Sequence, residues 1–120
     1  KNYTINDDFS IDVREEIDFH EKIISLRSFP RYIQFNIIYG TFTIQHNNFT
    51  SLRGCPREIR KKEGLMHFPI FSCSNNKLMS LKYAPRIVEG SFYCHSNPRE
   101  FTKEDVLKVC KSVEYIYTLP

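Results

Sequence analysis

Apolar residues recur along this chain in an order too short for helices and too regular for loops. Phe42-x-Ile44-x-x-Asn47-x-Phe49-x-x-Leu52-x-x-x-Pro56 is followed, with identical spacing, by Phe71-x-Cys73-x-x-Asn76-x-Leu78-x-x-Leu81-x-x-x-Pro85. A third copy opens as Phe92-x-Cys94-x-x-Asn97 and then departs. The Phe-x-Ile and Phe-x-Cys steps alternate as a short strand does, with every second side chain turned inward. A phrase repeated at constant internal spacing folds as one supersecondary unit stacked on itself. The pattern predicts a short solenoid with a parallel strand stack, its core lined by Phe42, Ile44, Phe71, Cys73, Phe92 and Cys94.

The Asn three residues after each inner Ile or Cys ends the strand. Its amide both donates and accepts, so it can satisfy backbone groups where the chain turns away. Stacked copies should form a ladder from Asn47, Asn76 and Asn97, with the leucines lining the core and the prolines keeping the outer segment irregular. Aligning the copies on Pro30, Pro56 and Pro85 makes Leu26, Leu52 and Leu81 equivalent, as well as Ile23, Phe49 and Leu78. An entry unit is also legible, with Val13, Ile17 and Phe19 in strand register before Ile23 and Leu26, and Lys22 where the other copies carry Asn. On this alignment the stretch from proline to the next strand Phe differs between copies. Pro30–Phe42 and Pro56–Phe71 carry about five and eight residues more than Pro85–Phe92, read as loops at one edge of the solenoid. The second excess, Arg60 to His67, is basic and then apolar. It reads either as a solvated loop with Leu65 or Met66 tucked over the stack or as a partner-contacting loop.

The C-terminus changes character. Thr102 stands as an N-cap with Asp105 placed for a capping box, and Phe101 is positioned to staple against Val106. Val106, Leu107, Val109, Cys110 and Val113 form the expected buried stripe, and Glu114 to Tyr117 reads as a closing strand. The expected fold class is therefore α+β. Residues 1–22 form an N-terminal strand cap, 23–98 the repeats and 99–120 a C-terminal helix–strand cap, all in one domain.

Composition leaves this picture standing. The 120 residues are 41% hydrophobic and 26% charged, which suits a globular chain with a modest core. No apolar run approaches the ~18–20 residues needed to span a bilayer. The polar N-terminus shows no signal-peptide stretch, and its first residue, Lys1, points to processing or trimming. Net charge is only +3, with acidic residues concentrated near the N-terminus; a nucleic-acid binder would normally carry a denser basic stripe. Cys55, Cys73, Cys94 and Cys110 read as reduced core thiols rather than a disulfide framework. No zinc-ligand spacing is present, and Cys94 and His95 point to opposite strand faces, so no metal or other cofactor is expected.

The phrase Leu78-Met79-Ser80-Leu81-Lys82-Tyr83-Ala84-Pro85, continuing Val88-Glu89-Gly90-Ser91-Phe92-Tyr93-Cys94-His95-Ser96-Asn97, resembles the leucine-rich-repeat-like small proteins encoded by tailed bacteriophages. The flanks Tyr3 to Val13 and Phe101 to Cys110 resemble that family too. The chain departs from its pattern in both insertions and before Phe71, where Phe68-Pro69 replaces Val-x-Gly. The resemblance implies a leucine-rich-repeat-like solenoid of phage-like origin, working in the host cytoplasm.

Catalytic signatures are missing: no G-x-S-x-G, Walker loop or H-E-x-x-H occurs, and His20, His46, His67 and His95 are scattered. His20 and His95 share the slot after the inner strand residue, which suggests a surface column. An enzyme is not expected. The outward residues Thr41, Thr43, Ile70, Ser72, Ser91 and Tyr93, with Tyr39, Phe68 and Glu89 one step out, form a ribbon bearing aromatic and apolar groups. Such ribbons mark interaction sites, so Tyr39, Thr41, Thr43, Phe68, Ile70, Ser72, Tyr93 and His95 are the candidate partner-binding residues. The expected function is a non-enzymatic protein-binding module, a phage accessory protein that inhibits or redirects a host or defence protein. The alternative is a nucleic-acid-associated regulator using Arg53 and the basic loop of Arg57, Arg60, Lys61 and Lys62. A third reading is self-association through an open solenoid edge; the chain is otherwise expected to be a monomer or a weak homo-oligomer.

Overall fold

The computed structural model describes residues 2–20 and 26–120, and in it the chain winds into a small, mostly-β solenoid of about 4 turns. Strands β1 (Tyr3–Ile5) and β2 (Ile11–Val13) form an antiparallel pair at the N-terminal end. Then follow β3 (Ile17–Asp18), β4 (Phe35–Tyr39), β5 (Phe42–Thr43), β6 (Glu58–Arg60), β7 (Ile70–Ser72) and β8 (Ile87–Tyr93). Helix α1 (Lys103–Val109) and strand β9 (Ser112–Tyr117) close the C-terminal end.

The strands stack in two parallel columns. β2, β4, β6 and the start of β8 form the first; β3, β5, β7 and the end of β8 form the second. β8 runs through the corner between them, and β9 lies along its whole length. Registers are those of a true repeat. Phe42 faces Phe71 and Phe71 faces Phe92 in the second column, while Ile38 faces Ile59 and Ile59 faces Val88 in the first. All six side chains are buried. The Phe42 and Phe71 rings are nearly parallel, 11° apart at 6.3 Å, so successive turns place like side chains over one another. Phe49, Leu52, Leu78 and Leu81 close the third side of the core.

The asparagine ladder is present and holds the turns together. The Asn76 amide nitrogen donates to the carbonyls of Cys73 in its own turn and Ile44 in the preceding one, at 3.1 and 3.0 Å. Its Oδ1 accepts from the Phe49 N–H of that preceding turn at 3.0 Å. Asn97 repeats the arrangement with Cys94, Cys73 and the Leu78 N–H, and Asn47 donates to Ile44 and Phe19. The residue before each ladder Asn (His46, Asn75 and Ser96) has a left-handed backbone, with φ of 58°, 56° and 60°. That conformation breaks the strand and turns the amide under the coil.

Several sequence expectations need correction. Among the described residues the helical share is one element of 7 residues, so the fold is mostly β rather than α+β. Its capping box forms as expected between Thr102 and Asp105, but Leu107 is exposed and does not belong to the buried stripe. The first strand column was not anticipated; it occupies the stretches read as connections. β6 offers one inward apolar residue between two charged ones, Glu58-Ile59-Arg60, and β4 spaces its buried Phe35 and Ile38 three apart, so neither shows the alternation that announces a strand. Pro30 is also not the counterpart of Pro56 and Pro85. The hydrogen bond Ile33 N–H to Pro30 O matches Cys55 to Leu52 and Ala84 to Leu81, so Pro30 stands where the leucines stand. Phe29 enters the core in that turn and Leu26 stays at the surface. The apparent five-residue excess after Pro30 therefore shrinks to one, which lies before Ile38. Only four residues separate Ile38 from Phe42, as from Val88 to Phe92, against twelve from Ile59 to Phe71. In the entry turn Ile17 pairs with Phe42 as expected, Val13 belongs to the other column, and Lys22 and Ile23 lie outside the described residues.

Replacing Asn76 by Ala should lower stability by about 2–3 kcal/mol, because it strands two carbonyls and an N–H in the interior; Asn76→Asp, which cannot donate, should do no better. Urea unfolding measures both. All four cysteines are free and buried, and burial pushes Cys94 to about 12 and Cys110 to about 11, with Cys55 and Cys73 also raised. A thiol-reactive dye should consequently leave the folded protein unlabelled at neutral pH and label all four thiols in denaturant.

Candidate functional site

The insertion in the third turn, residues 61–69, is the largest departure from the repeat. Its root is fixed. The Arg60 guanidinium donates to Glu58 at 2.9 Å and reaches Glu89 of the next turn at 3.4 Å, and the Lys61 N–H donates to Glu89 at 2.8 Å. Glu58 also accepts from Arg86 at 2.8 Å. Burial pushes the Glu58 carboxyl up, but the hydrogen bonds and charges of Arg86 and Arg60 outweigh it and hold it below its ordinary value. The loop re-enters the coil at Pro69, whose carbonyl accepts from the Ser91 N–H at 3.0 Å. Pro69 stands where the second and fourth turns carry Gly40 and Gly90, two residues before the strand Phe. These glycines allow backbone to pass close to backbone: a Cβ on Gly90 would lie 1.9 Å from the Pro69 carbonyl oxygen.

Between its fixed ends the loop exposes Leu65, Met66 and Phe68, with Met66 89% accessible. Lys61 places its ammonium 5.0 Å from the centre of the Phe68 ring. An open cleft of about 420 Å³ separates Leu65, His67 and Phe68 from Tyr39, Thr41 and the Glu15–Glu16 corner of the first turn. The Ile70 N–H donates to the Thr41 hydroxyl at 3.0 Å, tying the floor of the cleft across the turns. Tyr39, Thr41, Phe68 and Ile70 thus come together as one surface.

The remaining candidates do not join them. Thr43 and Ser72 face outward in the pleat yet are only 7% and 3% accessible. Their hydroxyls accept from the N–H two residues on, and Gln45 reaches across to Ser72, so they form the inner layer of a polar face and not its contact surface. Tyr93 lies at the C-terminal end, stacked on Tyr117 at 4.6 Å with His95 at its edge. Tyr115 and Tyr117 extend this second aromatic cluster; the alternation of Ser112 to Tyr117 was the available signal. His20 and His95 occupy one column but stand apart, with Gln45 and Ser74 between them. The His20 ring pairs with Gln45 at 3.0 Å and stacks on His46.

The basic residues disperse as well. Arg60 is neutralised by Glu58 and Glu89, Arg57 pairs with Asp8 at 3.1 Å, and Lys61 and Lys62 belong to the insertion. Arg53 lies on another corner, donating to the carbonyls of Phe29 and Arg31. A larger cleft of about 550 Å³ lies between Arg99–Glu104 and the last three residues; His95 is the only candidate on its wall. Among the described residues no group of three or more His, Cys, Asp or Glu could hold a metal ion, and no helix is long and apolar enough to cross a membrane.

No protein-family model, curated protein or solved structure matches this chain.

The corner geometry can be checked by substitution. Gly90→Ala forces backbone against backbone and should cost about 3 kcal/mol, read as a large drop in melting temperature. Gly64→Ala, at φ +84° on the loop with nothing within 4 Å, should cost only about 1 kcal/mol, from backbone strain alone.

Proposed function

We propose that this chain is a non-enzymatic binding module that takes a protein partner on the 61–69 insertion and the adjoining cleft. The observation that carries the reading is the exposure of Leu65, Met66 and Phe68 on a loop whose two ends are fixed to the solenoid. An insertion that served only as a connection would gain by turning those side chains inward. An apolar patch rimmed by charged groups, here Lys61, Lys62 and Glu63, marks a protein contact, and Met and aromatic residues are preferred at such contacts. Tyr39 and the cleft supply a recess for an anchoring side chain from the partner. The finer reading, a leucine-rich-repeat-like phage accessory protein that inhibits or redirects a host or defence protein in the host cytoplasm, rests on the resemblance of the repeat and its flanks.

Affinity capture from bacterial lysate with the tagged full chain tests the binding reading. A stoichiometric protein should be retained at low and moderate salt. Met66→Ala and Phe68→Ala should each weaken its retention by about 1 kcal/mol or more while leaving the melting temperature unchanged. Capture of nothing, or capture indifferent to both changes, would remove this surface from consideration.

A further inference from the structure

A different corner of the solenoid carries a surface that the insertion does not touch. Three β-turns stack there, Pro30–Ile33, Leu52–Cys55 and Leu81–Ala84, each closed by an N–H to carbonyl hydrogen bond of 2.9 to 3.0 Å. The second residue of each turn is a cation: Arg31, Arg53 and Lys82. The third residues are Tyr32, Gly54 and Tyr83. Turns of a parallel stack are about 4.8 Å apart, so the backbones of the three cation positions span about 10 Å, one Debye length at ordinary salt. Among the described residues none of them pairs with a carboxylate. The Arg53 guanidinium is turned onto backbone carbonyls of the turn before it, and the Lys82 ammonium lies 5.1 Å from the centre of the Tyr83 ring.

Two further cations approach from the neighbouring side. Arg57 and Arg86 each follow a proline at the entrance to the first strand column and are stacked, with the Arg86 N–H donating to the Arg57 carbonyl at 2.9 Å. A groove of about 190 Å³ separates them from Tyr83. Arg57 is held by an exposed Asp8 and Arg86 by Glu58, and both side chains remain substantially accessible, 42% and 66%.

Tyr83 itself is the telling residue. Its φ is 73°, in the left-handed region where its counterpart Gly54 sits at 92°. A bulky side chain is disfavoured there, and Tyr83 gains no core packing in exchange, since its ring is exposed. Tyr32, two turns away, is more exposed still. Cations at the spacing of the turns with no carboxylate partner among the described residues, beside exposed rings, match what a single strand of nucleic acid requires: charge for the phosphates and flat faces for the bases.

We propose that this corner binds single-stranded nucleic acid, with phosphates on Arg31, Arg53, Lys82 and Arg86 and bases against Tyr32 and Tyr83. The surface is separate from the insertion, so it stands or falls independently of the protein partner. The test is fluorescence anisotropy of a labelled oligothymidylate of about 12 nucleotides with the full chain, between about 50 and 200 mM salt. Saturable binding should weaken with salt at a log–log slope of about −2 to −3, as expected for three to four phosphates on a single strand. Arg31→Glu with Lys82→Glu should weaken binding by about tenfold or more and flatten that slope, with the melting temperature no lower. Tyr83→Gly should raise the melting temperature by relieving the backbone while weakening binding by about fivefold or more. Met66→Ala should leave oligonucleotide affinity as it was. Absence of binding at the lowest salt would overturn the proposal. So would inorganic polyphosphate binding as tightly with no dependence on Tyr83, which would mean a bare charge effect, or retention on anionic phospholipid vesicles alone.

Discussion

One side chain per turn, the ladder asparagine, sets the geometry on which everything else in this molecule depends. At the end of each second-column strand the chain must leave the sheet, and the carbonyls on either side of that exit lose their ladder partners. A buried carbonyl or N–H without a partner costs more than a formed hydrogen bond returns. Asn76 resolves this on both sides of the layer boundary, donating to its own turn and the one before while accepting from Phe49. Asp could not donate, Ser lacks the second donor, and Gln carries its amide one bond too far out. Because each asparagine reads the position of the preceding turn, it fixes the stacking register, and the coincidence of Phe42, Phe71 and Phe92 follows.

The asparagine corner is consequently the one that cannot vary, and variation has been displaced to the other two. At the glycine corner the backbone of Pro69 passes so near the next turn that the residue facing it, Gly90, must lack a Cβ. That close contact clamps the re-entry of the insertion and lets its middle stand clear of the core. At the β-turn corner the backbone constraint is satisfied by a single hydrogen bond, and the central side chains Arg31, Tyr32, Lys82 and Tyr83 of the outer two turns are left to solvent, while the middle turn is packed at Gly54 and half-buried at Arg53. The scaffold thus offers two places where side chains can be chosen for contact without disturbing the stack.

What the sequence revealed follows the same division. The second column was legible because Phe-x-Ile and Phe-x-Cys alternate between large buried and small polar residues, and because the asparagine follows at constant distance. Its register, the helix cap at Thr102 and the position of the insertion could all be read directly, whereas the sequence left open whether Leu65 or Met66 tucks over the stack, and both are exposed. The first column was not, since a strand such as Glu58-Ile59-Arg60 shows a single inward residue and its charges suggest a loop. Pro30 misled for a physical reason: proline fits several positions around a turn equally well, so it aligns copies less surely than the buried leucines, and Phe29 had taken the core place in that turn. The same misalignment hid the equivalence of Arg31, Arg53 and Lys82, although the repeated Pro-Arg pairs at Pro56-Arg57 and Pro85-Arg86 were a visible sign of stacked cations. Thr43 and Ser72 show the limit of alternation as a guide. Pointing away from the core places a side chain on the outer face but does not make it accessible when larger neighbours flank it.

Net charge conceals how the charges are arranged. The arginines borne on the first strand column are met by carboxylates at stacking distance, Glu58 between Arg60 and Arg86 and Glu89 beside Arg60. In a parallel stack, residues at the same offset in successive turns are brought near each other, so like charges at one offset repel unless the adjacent offset supplies the opposite sign. The strands obey that rule. The β-turn corner breaks it, placing three cations at one offset with none of them paired to a carboxylate among the described residues. Arg53 ties its turn to the one before through the carbonyls of Phe29 and Arg31, but nothing in the geometry of a β-turn demands a cation at Arg31 or Lys82, and the coil would be more stable with a neutral residue at those two positions. A repulsion that folding does not require, next to a backbone strain at Tyr83 that folding does not require either, points to selection by something outside the fold.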